Sequence, residues 1–407
     1  MTATCEVVRM TGDMMASRRT RVLFVAHSGF QGGAELCLDT TLAHLDQACF
    51  EPFVVFAGDG PLVARARDYG CHVEIWPLSW WLCFEPGWWH YKNLLGTVPR
   101  VARLVRFLRY HQIDLVYTNT AVLFEGALAA RRARLPHVWH VHEVLTAEHM
   151  RPRMLPLSVI AGLIDGLSNR VIFESESSRR IASRWIALEK STAIHNSVRL
   201  VPTGAIDRTA ARRRIGVPAG ATVFAFLGRF SDRKNPLLLA EALAQLPRDT
   251  PLHVMFVGEG PLETQLRDRL AALGLNNRTT IVPFQSDVSE VLAASDVVVL
   301  PSNEESFGLV LVEAAAFARP VIATRTQGPS EIVVDGVTGL LVPPRDVAAL
   351  ASAMRTLVDD AELRDRLGQA GAARAAEWFS APRNTQLIEQ TLVDVLDNAR
   401  SAKGRPQ

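Results

Sequence analysis

The 407-residue sequence lacks most features that mark specialised protein classes. Its longest apolar runs fall far short of the ~20 residues that span a bilayer. Residues 1–20 carry several charges and no apolar core of signal-peptide length. The net charge of +2 gives no general case for nucleic acid, and no Cys/His array suggests a zinc module. We therefore expect a cytoplasmic protein, with any membrane contact peripheral.

Cysteine is scarce, and its spacing suggests no pairing. The five cysteines are an odd number: Cys5, Cys37, Cys49, Cys71 and Cys83. Reduced thiols in a cytosolic protein are the simplest interpretation. The GxGxxG fingerprint of dinucleotide-binding proteins is also absent, which disfavours a nicotinamide dehydrogenase.

Short apolar runs alternate with helical patterns along the chain, which indicates parallel sheets built from βαβ units. The strands predicted in the first half are Val22–Ala26, Phe53–Ala57, Val73–Trp76, Leu115–Thr118, Val138–Val141, Val171–Glu174 and Ala193–His195. A polar segment near 196–218 interrupts the pattern. The second series is Val223–Leu227, His253–Val257, Thr280–Val282, Val297–Leu300, Val321–Ala323 and Leu340–Val342. We predict two doubly wound α/β domains joined near residue 200.

The stretch 301–324 carries the strongest functional signal. Glu305 and Glu313 lie eight residues apart, one in a loop after an apolar strand and one in the following helix. Eight helical residues span roughly 12 Å, the scale of a sugar, a diphosphate and part of a ribose. The amides at a helix start suit a phosphate, and here they would be those of Phe307, Gly308 and Leu309. We predict a nucleotide-sugar site, although glutamate pairs at this spacing also occur on solvated helices.

A second loop, residues 228–236, brings two cations to the carboxyl end of a strand. Arg229 can fork onto a diphosphate, and Lys234 supplies a point charge before a helix predicted to begin at Pro236. Ordinary surface ion pairs are the alternative interpretation. The glycine-rich turn at 28–35 is weak evidence by itself, because any tight strand-to-helix turn needs glycine.

Together these motifs resemble the retaining glycosyltransferases of the GT-B fold whose signature is a Glu-x7-Glu pair. The resemblance covers nearly the whole chain and rests on the order and spacing of individually weak motifs. They lie at 32–35, 195–198, 228–235, 257–261, 305–314, 320–324 and 335–344. The chain departs from the family pattern at Ser197, where glycine is usual, and at 326–330, which lacks a double glycine.

The resemblance implies two Rossmann-like domains that face a central cleft. Residues 1–200 would form the acceptor-side domain and 201–379 the nucleotide-sugar-binding domain, with a C-terminal helix at 380–400 packing back on the first. The implied enzyme is a retaining, metal-independent hexosyltransferase that uses a UDP-sugar, or next a GDP-sugar. Its acceptor would be a glycan, a lipid-linked sugar or a small molecule. No cofactor is expected, because Arg, Lys and amides supply the positive charge.

The resemblance also assigns roles to residues. Arg229 and Lys234 would bind the diphosphate and stabilise the leaving charge, so that removing either lowers turnover more than it loosens the structure. Glu305 would hold donor-sugar hydroxyls and Glu313 the ribose hydroxyls. Gly33 would let the backbone approach the donor phosphate. Further donor contacts are expected from Ser306, Phe307, Gly308, Leu309 and, beside the base, Phe284.

Two histidines end a predicted strand. Alternation places His140 and His142 on one face and Trp139 and Val141 on the other. The resemblance makes His142 the active-site histidine, in contact with the donor sugar or the reaction centre, and packing or capping is the alternative. Glu143 either orients this histidine or caps the next segment. No ligand spacing nearby favours a metal.

Five of the eight tryptophans fall between residues 76 and 91, close to Phe84 and Tyr91. Their rings can stack on sugars, lie in a bilayer interface or pack as a small local core. The next helix is predicted to begin near Thr97 and to carry one basic face: Arg100, Arg103, Arg106 and Arg109. That face suits anionic lipid or plain solvent, so peripheral membrane contact through 76–110 is one interpretation.

Other functional classes stay open on the sequence. A GT-B phosphorylase would accept inorganic phosphate, and an epimerase would turn over donor without acceptor. A non-catalytic nucleotide-sugar-binding protein would serve a partner enzyme. The intact charged set favours the transferase: Arg229, Lys234, Glu305 and Glu313.

Overall fold

A computed structural model describes residues 18–81, 95–146, 155–198 and 206–403. The chain divides into two compact units. Unit 1 comprises Met1–Ser197 and Ala381–Gln407, and unit 2 comprises Val198–Ser380. Each unit contains one parallel sheet with helices between its strands, which confirms the predicted α/β class with two doubly wound sheets.

Unit 1 is built on a seven-stranded sheet. Its strands are β1 (Thr20–Ala26), β2 (Phe50–Phe56), β3 (His72–Ile75), β4 (Leu115–Thr118), β5 (His137–Val141), β6 (Arg170–Phe173) and β7 (Ser191–Ala193). Their order is β3-β2-β1-β4-β5-β6-β7. The helices between them are α1 (Gly33–His44), α2 (Pro61–Asp68), α3 (Thr97–Tyr110), α4 (Glu125–Ala133), α5 (Leu157–Leu167) and α6 (Glu176–Ala182), and a 3-10 turn covers Leu188–Lys190.

Unit 2 is built on a six-stranded sheet. Its strands are β8 (Thr222–Leu227), β9 (Leu252–Val257), β10 (Thr279–Val282), β11 (Val297–Leu300), β12 (Val321–Thr324) and β13 (Gly339–Val342), in the order β10-β9-β8-β11-β12-β13. Its helices are α7 (Arg208–Ile215), α8 (Pro236–Gln245), α9 (Glu263–Ala272), α10 (Ser289–Ala294), α11 (Leu309–Ala316), α12 (Pro329–Ile332), α13 (Val347–Asp359) and α14 (Ala361–Trp378). A 3-10 turn covers Asn276–Arg278.

The last helix, α15 (Ala381–Lys403), returns to unit 1. Leu392 is fully buried beside Leu38 of α1, and the Asn384 side chain donates to the His195 carbonyl at 2.8 Å. The Glu389 carboxylate accepts from the Asp46 amide at 2.7 Å. One apolar face of the unit 1 sheet is therefore covered by a segment from the far end of the chain.

All thirteen predicted strands are present, and only their ends differ. β2 begins three residues earlier than predicted because the backbone of Phe50 pairs with Thr20 of β1. β7 begins and ends two residues earlier than predicted, and Ser191 pairs with Val171 of β6. Apolar runs marked the buried middle of each strand, whereas backbone pairing sets its ends.

The cysteine prediction holds only in part. Cys37 and Cys71 are buried and belong to no disulfide. Cys49, however, is in a disulfide, so the expectation of reduced thiols is wrong for this residue. Its partner lies outside the described residues, and the spacing of the cysteines did not indicate the pair.

Candidate functional site

The carboxyl edge of the unit 2 sheet brings two predicted site residues into contact. Lys234 lies in the loop after β8, and Glu305 lies in the loop after β11, the neighbouring strand. The strand order changes direction between β8 and β11, where ligands bind in open parallel sheets. The Lys234 ammonium donates to Glu305 Oε2, and Ser302 Oγ donates to the same oxygen at 3.2 Å. The sequence placed both residues in loops but did not pair them.

Backbone contacts hold these two loops together. The Asn303 amide donates to the Arg233 carbonyl at 2.8 Å, and its side chain donates to the Asp232 carbonyl at 2.7 Å. Asn235 adopts a left-handed conformation with φ 48° and caps α8, and its Oδ1 accepts from the Leu238 amide at 3.2 Å. Helix α8 begins at Pro236, as predicted. The position of Lys234 is thereby fixed relative to Glu305.

Glu305 carries its charge despite being buried. Only 4% of the residue is exposed. Desolvation by burial pushes the pKa of this carboxyl up, but the nearby charges of Lys234 and Arg233 outweigh it and hold the pKa below its usual value. The site therefore contains an ionised Lys–Glu pair within hydrogen-bond contact. Arg229, on the same loop as Lys234, is exposed and forms no ion pair within the described ranges.

The start of α11 presents backbone donors beside this pair. Its N-cap is Gly308, in a left-handed conformation with φ 96°, and no side chain caps the helix. Phe307 is buried against Phe379, with 5.9 Å between ring centroids. The Gly328 amide donates to the Glu305 carbonyl at 3.0 Å. An uncapped N-terminus offers N–H groups and a positive dipole end to an anion.

Glu313 lies one turn into α11 and is half-buried. It has no hydrogen bond or ion pair with any side chain of the described ranges. Desolvation by burial, with Asp287 adding a like charge, raises the pKa of Glu313 to about 7. Glu313 is thus a carboxyl group in apolar surroundings, as expected. No side chain of the described ranges offers it a hydrogen bond or an opposite charge.

Three other donor-site candidates lie in, or at the end of, loops that follow strands of the same sheet. Phe284, in the loop after β10, exposes 51% of its surface. Ser306 and Leu309 flank the Phe307–Gly308 step at the start of α11. Backbone groups of 306–309 and the ring of Phe284 thus lie in loops at the carboxyl edge of one sheet, where the sequence predicted them.

In unit 1, the two glycines at the start of α1 have different surroundings. A Cβ on Gly33 would meet nothing within 4 Å, whereas a Cβ on Gly32 would lie 2.4 Å from Glu35 Oε2. A side chain at position 32 would therefore displace the Glu35 carboxylate. The space above Gly33 is open to a ligand.

His142 follows β5 at the carboxyl edge of the unit 1 sheet. Its ring lies 4.0 Å from that of His140, so both histidines share a face, as predicted. His142 Nε2 lies 3.2 Å from Asn119 Oδ1. Desolvation by burial, then the neighbouring His140 and His27, holds the pKa of His142 well below its usual value, so the ring is neutral. Burial alone lowers the pKa of His140 to about 3.

Glu143 does not contact the imidazole of His142. Its Oε1 accepts from Thr120 Oγ1 at 2.6 Å, and its Oε2 accepts from the Ala121 and His142 amides at 3.0 and 3.1 Å. The carboxylate therefore binds the backbone of the loop after β4. The sequence predicted that Glu143 orients the His142 ring or caps the next segment. Neither role includes its contacts with the loop after β4.

The described part of the aromatic segment packs as a local core. Trp76 and Trp81 are 5% and 7% exposed, and Trp80 packs partly buried against them. Phe84, Trp88, Trp89 and Tyr91 lie outside the described residues. Arg100 is not on a solvent face as predicted, because its side chain pairs with the buried Glu125 at 3.0 Å. The other members of the basic face are exposed: Arg103, Arg106 and Arg109.

Comparisons with known proteins identify the family. Residues 31–201 match the profile described as Glycosyltransferase Family 4, and residues 207–374 match Glycosyl transferases group 1. The structure resembles that of Anabaena Alr3699/HepE in complex with UDP-glucose, with a TM-score of 0.77, 28% identity and coverage of 92% of this chain and 100% of that chain.

The chain belongs to the group 1 glycosyltransferases. Its fold is the GT-B fold, as predicted. A glycosyltransferase from Rickettsia africae shares this fold with a TM-score of 0.79, at 18% identity and with coverage of 94% of this chain and 100% of that chain.

Curated relatives match over part of their length. A D-inositol 3-phosphate glycosyltransferase of Nocardia farcinica is 32% identical over 294 residues, which are 62% of this chain and 64% of that protein. One of Saccharomonospora viridis is 40% identical over 208 residues, 48% of this chain and 47% of that protein. The matched stretch of the chain thus spans less than two thirds of each of these relatives.

Three residues of this group 1 glycosyltransferase were missed by sequence reasoning. His27 follows β1, Asn119 follows β4, and Glu35 lies in the first turn of α1. His27 Nε2 pairs with Glu35 Oε1 at 2.7 Å. Since β1 and β4 are the neighbours at which the strand order of unit 1 changes direction, strand-end position was the signal that would have found His27 and Asn119. Glu35 lies in the motif at 32–35, but that motif gave its side chain no role.

Two features are absent from the described ranges. No helix there has both the length and the apolar character to cross a membrane. No group of three or more His, Cys, Asp or Glu side chains there is arranged to hold a metal ion.

Proposed function

We propose that this group 1 glycosyltransferase moves a hexose from a nucleotide-diphosphate sugar to an acceptor hydroxyl, with retention of anomeric configuration. The observation that carries the proposal is the ionised Lys234–Glu305 pair beside the uncapped start of α11. These groups at one sheet edge match the parts of a sugar diphosphate. The cation matches the anionic diphosphate, the carboxylate matches the sugar hydroxyls, and the helix N–H donors match the phosphate oxygens.

The donor roles follow from charge and burial. Lys234 and the exposed Arg229 bind the diphosphate, together with the amides of Phe307, Gly308 and Leu309 and the hydroxyl of Ser306. Glu305 accepts hydrogen bonds from sugar hydroxyls. Glu313 accepts from the ribose hydroxyls, which supply the partners its carboxylate lacks. Phe284, which is half exposed, lies against the base.

The donor base in this proposal is uracil, with guanine next. Support comes from Anabaena Alr3699/HepE, a 28% identical structure that is described in complex with UDP and with UDP-glucose. Metal-independent chemistry is part of the same proposal. Two cations and a helix N-terminus supply positive charge where the diphosphate leaves, so no bound cation is needed for that purpose.

The chemical step is a front-face substitution. The acceptor oxygen forms a bond to the anomeric carbon as the bond to the diphosphate oxygen breaks, and the acceptor proton passes to that departing oxygen. Arg229 and Lys234 stabilise the charge that develops on the diphosphate. The neutral ring of His142 serves as a hydrogen-bonding group and not as a cation, because its pKa is low.

The acceptor in this proposal is a hydroxyl of a sugar, a lipid-linked sugar or a small molecule. We place the enzyme in the cytoplasm, at the inner face of the membrane. Arg103, Arg106 and Arg109 are exposed on α3. Val98 at the start of the same helix is 77% exposed, and Leu95 just before it is 83% exposed. Exposed apolar residues beside arginines suit an anionic lipid surface.

Vesicle sedimentation tests the membrane part. Binding to phosphatidylglycerol vesicles that falls with salt, and falls again in Arg106→Glu/Arg109→Glu, is the expected result. Arg355→Glu, an exposed arginine of unit 2, is the control. Equal binding of both variants, or no binding to anionic vesicles, would remove the membrane contact and leave the transferase proposal intact.

Thermal denaturation with UDP, GDP, ADP and their sugars tests the donor site. Ligand at a hundred times its dissociation constant adds about 2.7 kcal/mol, a shift of a few degrees. We expect uridine nucleotides alone to raise the Tm, and the rise to be lost in Glu313→Ala and Lys234→Ala. Glu290→Ala and Lys190→Ala, which remove exposed or surface-paired charges, should keep it. A rise that survives in Glu313→Ala and Lys234→Ala would overturn the site.

A further inference from the structure

Asn119 lies between helix α1 and His142 at the carboxyl edge of the unit 1 sheet. It follows β4, is 1% exposed, and its amide donates to the Val25 carbonyl of β1 at 2.9 Å. Its side-chain Nδ2 donates to the Ala34 carbonyl at 2.9 Å. Its Oδ1 lies 3.2 Å from His142 Nε2. One buried amide thus contacts a fixed backbone acceptor and an imidazole at the same time.

These contacts determine which imidazole nitrogen carries the proton. A backbone carbonyl can only accept, so the NH2 of Asn119 must face Ala34, and Oδ1 must face the histidine. An amide oxygen also only accepts, so His142 Nε2 must be the donor. In a neutral imidazole the other nitrogen then has a lone pair and no proton.

His142 Nδ1 is therefore a hydrogen-bond acceptor, and it is buried without a hydrogen-bond partner among the residues that the structure describes. The residue is only 8% exposed. The neighbouring His140 ring is tilted by 35° relative to His142, and its own Nδ1 lies 2.5 Å from Tyr117 Oη. Leaving a buried acceptor unpaired costs free energy, which a hydroxyl donor recovers on binding.

We propose that Asn119 is a positioning residue that holds His142 as the Nε2–H tautomer, so that Nδ1 accepts a hydrogen bond from a hydroxyl of the sugar substrate. The inference rests on the proposed transferase function for the identity of that hydroxyl, but the tautomer itself does not. Asn119 acts through His142 and does not touch the substrate.

Nitrogen NMR of 15N-histidine-labelled full-length protein reads the tautomer directly. The His142 signals are assigned as those that disappear in His142→Gln. In the wild type we expect a protonated Nε2 and a bare Nδ1, and the bare Nδ1 signal should shift when UDP-glucose is added. A protonated Nδ1 in the wild type would overturn the proposal whatever the enzyme does.

Two substitutions separate positioning from simple packing. Asn119→Asp loses the donor to the Ala34 carbonyl but keeps an acceptor opposite Nε2, so it should retain the tautomer. Asn119→Leu removes both groups and should give mixed tautomers. Turnover should fall about tenfold or more in Asn119→Leu, equivalent to ~1.4 kcal/mol of barrier, and recover in part in Asn119→Asp. Thr118→Val is the matched control, because it removes the partner of another buried histidine, His137, at 2.8 Å.

The control should leave the His142 tautomer unchanged. If Asn119→Leu does not fold, the wild-type and Asn119→Asp spectra still decide the tautomer. An unchanged tautomer in a folded Asn119→Leu would refute the positioning role. Since the spectra need no substrate, failure of the transferase proposal would appear separately, as absent turnover with the expected tautomer.

Discussion

At the scale of single residues, two charges of the proposed donor site already pair with each other. Lys234 is the cation proposed for the diphosphate and also the partner of the buried Glu305. The sequence-based expectation that removing Lys234 affects turnover more than structure therefore needs revision. A donor must share this ammonium with Glu305 or replace the carboxylate's partner with its own hydroxyls.

Lys234→Ala is expected to destabilise the protein by about 2–3 kcal/mol, because it leaves Glu305 charged, buried and without its cation. Thermal or urea denaturation measures the loss. The double variant Lys234→Ala/Glu305→Gln should regain much of it. Lys190→Ala, whose surface pair with Asp165 spans 3.7 Å, should cost under about 1 kcal/mol. Equal costs for Lys234→Ala and Lys190→Ala would contradict the prediction.

Glu313 is expected to make donor binding depend on pH. Its pKa of about 7 means that the carboxyl is mostly neutral at pH 6 and mostly ionised at pH 8. Ribose hydroxyls bind the ionised form better, so affinity for UDP-glucose should rise up to about tenfold from pH 6 to 8. Calorimetric titration measures it, and Glu313→Gln should flatten the dependence while Glu290→Gln should not.

The raised pKa of Glu313 has the opposite effect on the stability of the protein without donor, which falls as the pH rises. A carboxyl whose folded pKa is raised contributes stability that is full below its unfolded pKa and is lost as pH rises through about 7. The Tm of the wild type should therefore fall relative to Glu313→Gln between pH 5 and 8. Parallel Tm curves would mean that Glu313 does not titrate in this window.

At the scale of elements, the donor loop depends on a contact that the family pattern did not indicate. The segment 326–330 departs from the expected double glycine, yet its single glycine lies directly against the site. Gly328 donates its amide to the Glu305 carbonyl, and its Cα abuts Phe307. Helix α12 thus supports the loop that carries Glu305 and the α11 amides.

Gly328→Ala is expected to displace the Phe307 backbone. A Cβ there would lie 2.2 Å from Phe307 Cα and O, a distance that only a backbone shift can relieve. Affinity for the nucleotide-sugar should fall about tenfold, the effect of ~1.4 kcal/mol. Calorimetric titration would show it. Gly220→Ala, where a Cβ meets nothing within 4 Å, is the control. Affinities within twofold of each other would refute the role of Gly328.

At the scale of the whole chain, unit 1 is completed by a helix that follows unit 2 in sequence. The apolar face of α15 buries Ile388, Leu392 and Leu396 against the unit 1 core. Unit 1 therefore lacks part of its core until the last residues of the chain are in place.

Leu392→Ala is expected to destabilise unit 1 by about 3 kcal/mol, because the fully buried side chain leaves a cavity between α15 and α1. Hydrogen exchange should show faster opening of α1 and α15. Leu387→Ala lies on the same helix with 41% exposure and should change stability by under about 0.5 kcal/mol. Similar exchange in both variants would mean that α15 is not part of the unit 1 core.

The sequence by itself determined the two parallel sheets, their thirteen strands and the loops in which the donor-site candidates lie. These follow from apolar periodicity and from glycine and charge at strand ends, which act over a few residues. It did not determine the Lys234–Glu305 pair, the engagement of Arg100 by Glu125, or the chain from Ala34 through Asn119 to His142.

Those contacts join residues 23 to 85 positions apart in sequence. Each depends on which strands become neighbours and on which side chains lose water together. A pKa of about 7 at Glu313 likewise depends on burial and on Asp287, which no local pattern encodes. Local sequence determined which residues reach the edge of each sheet. Only tertiary packing decided which side chains they pair with and which of their groups carry a proton, because desolvation and charge act across space rather than along the chain.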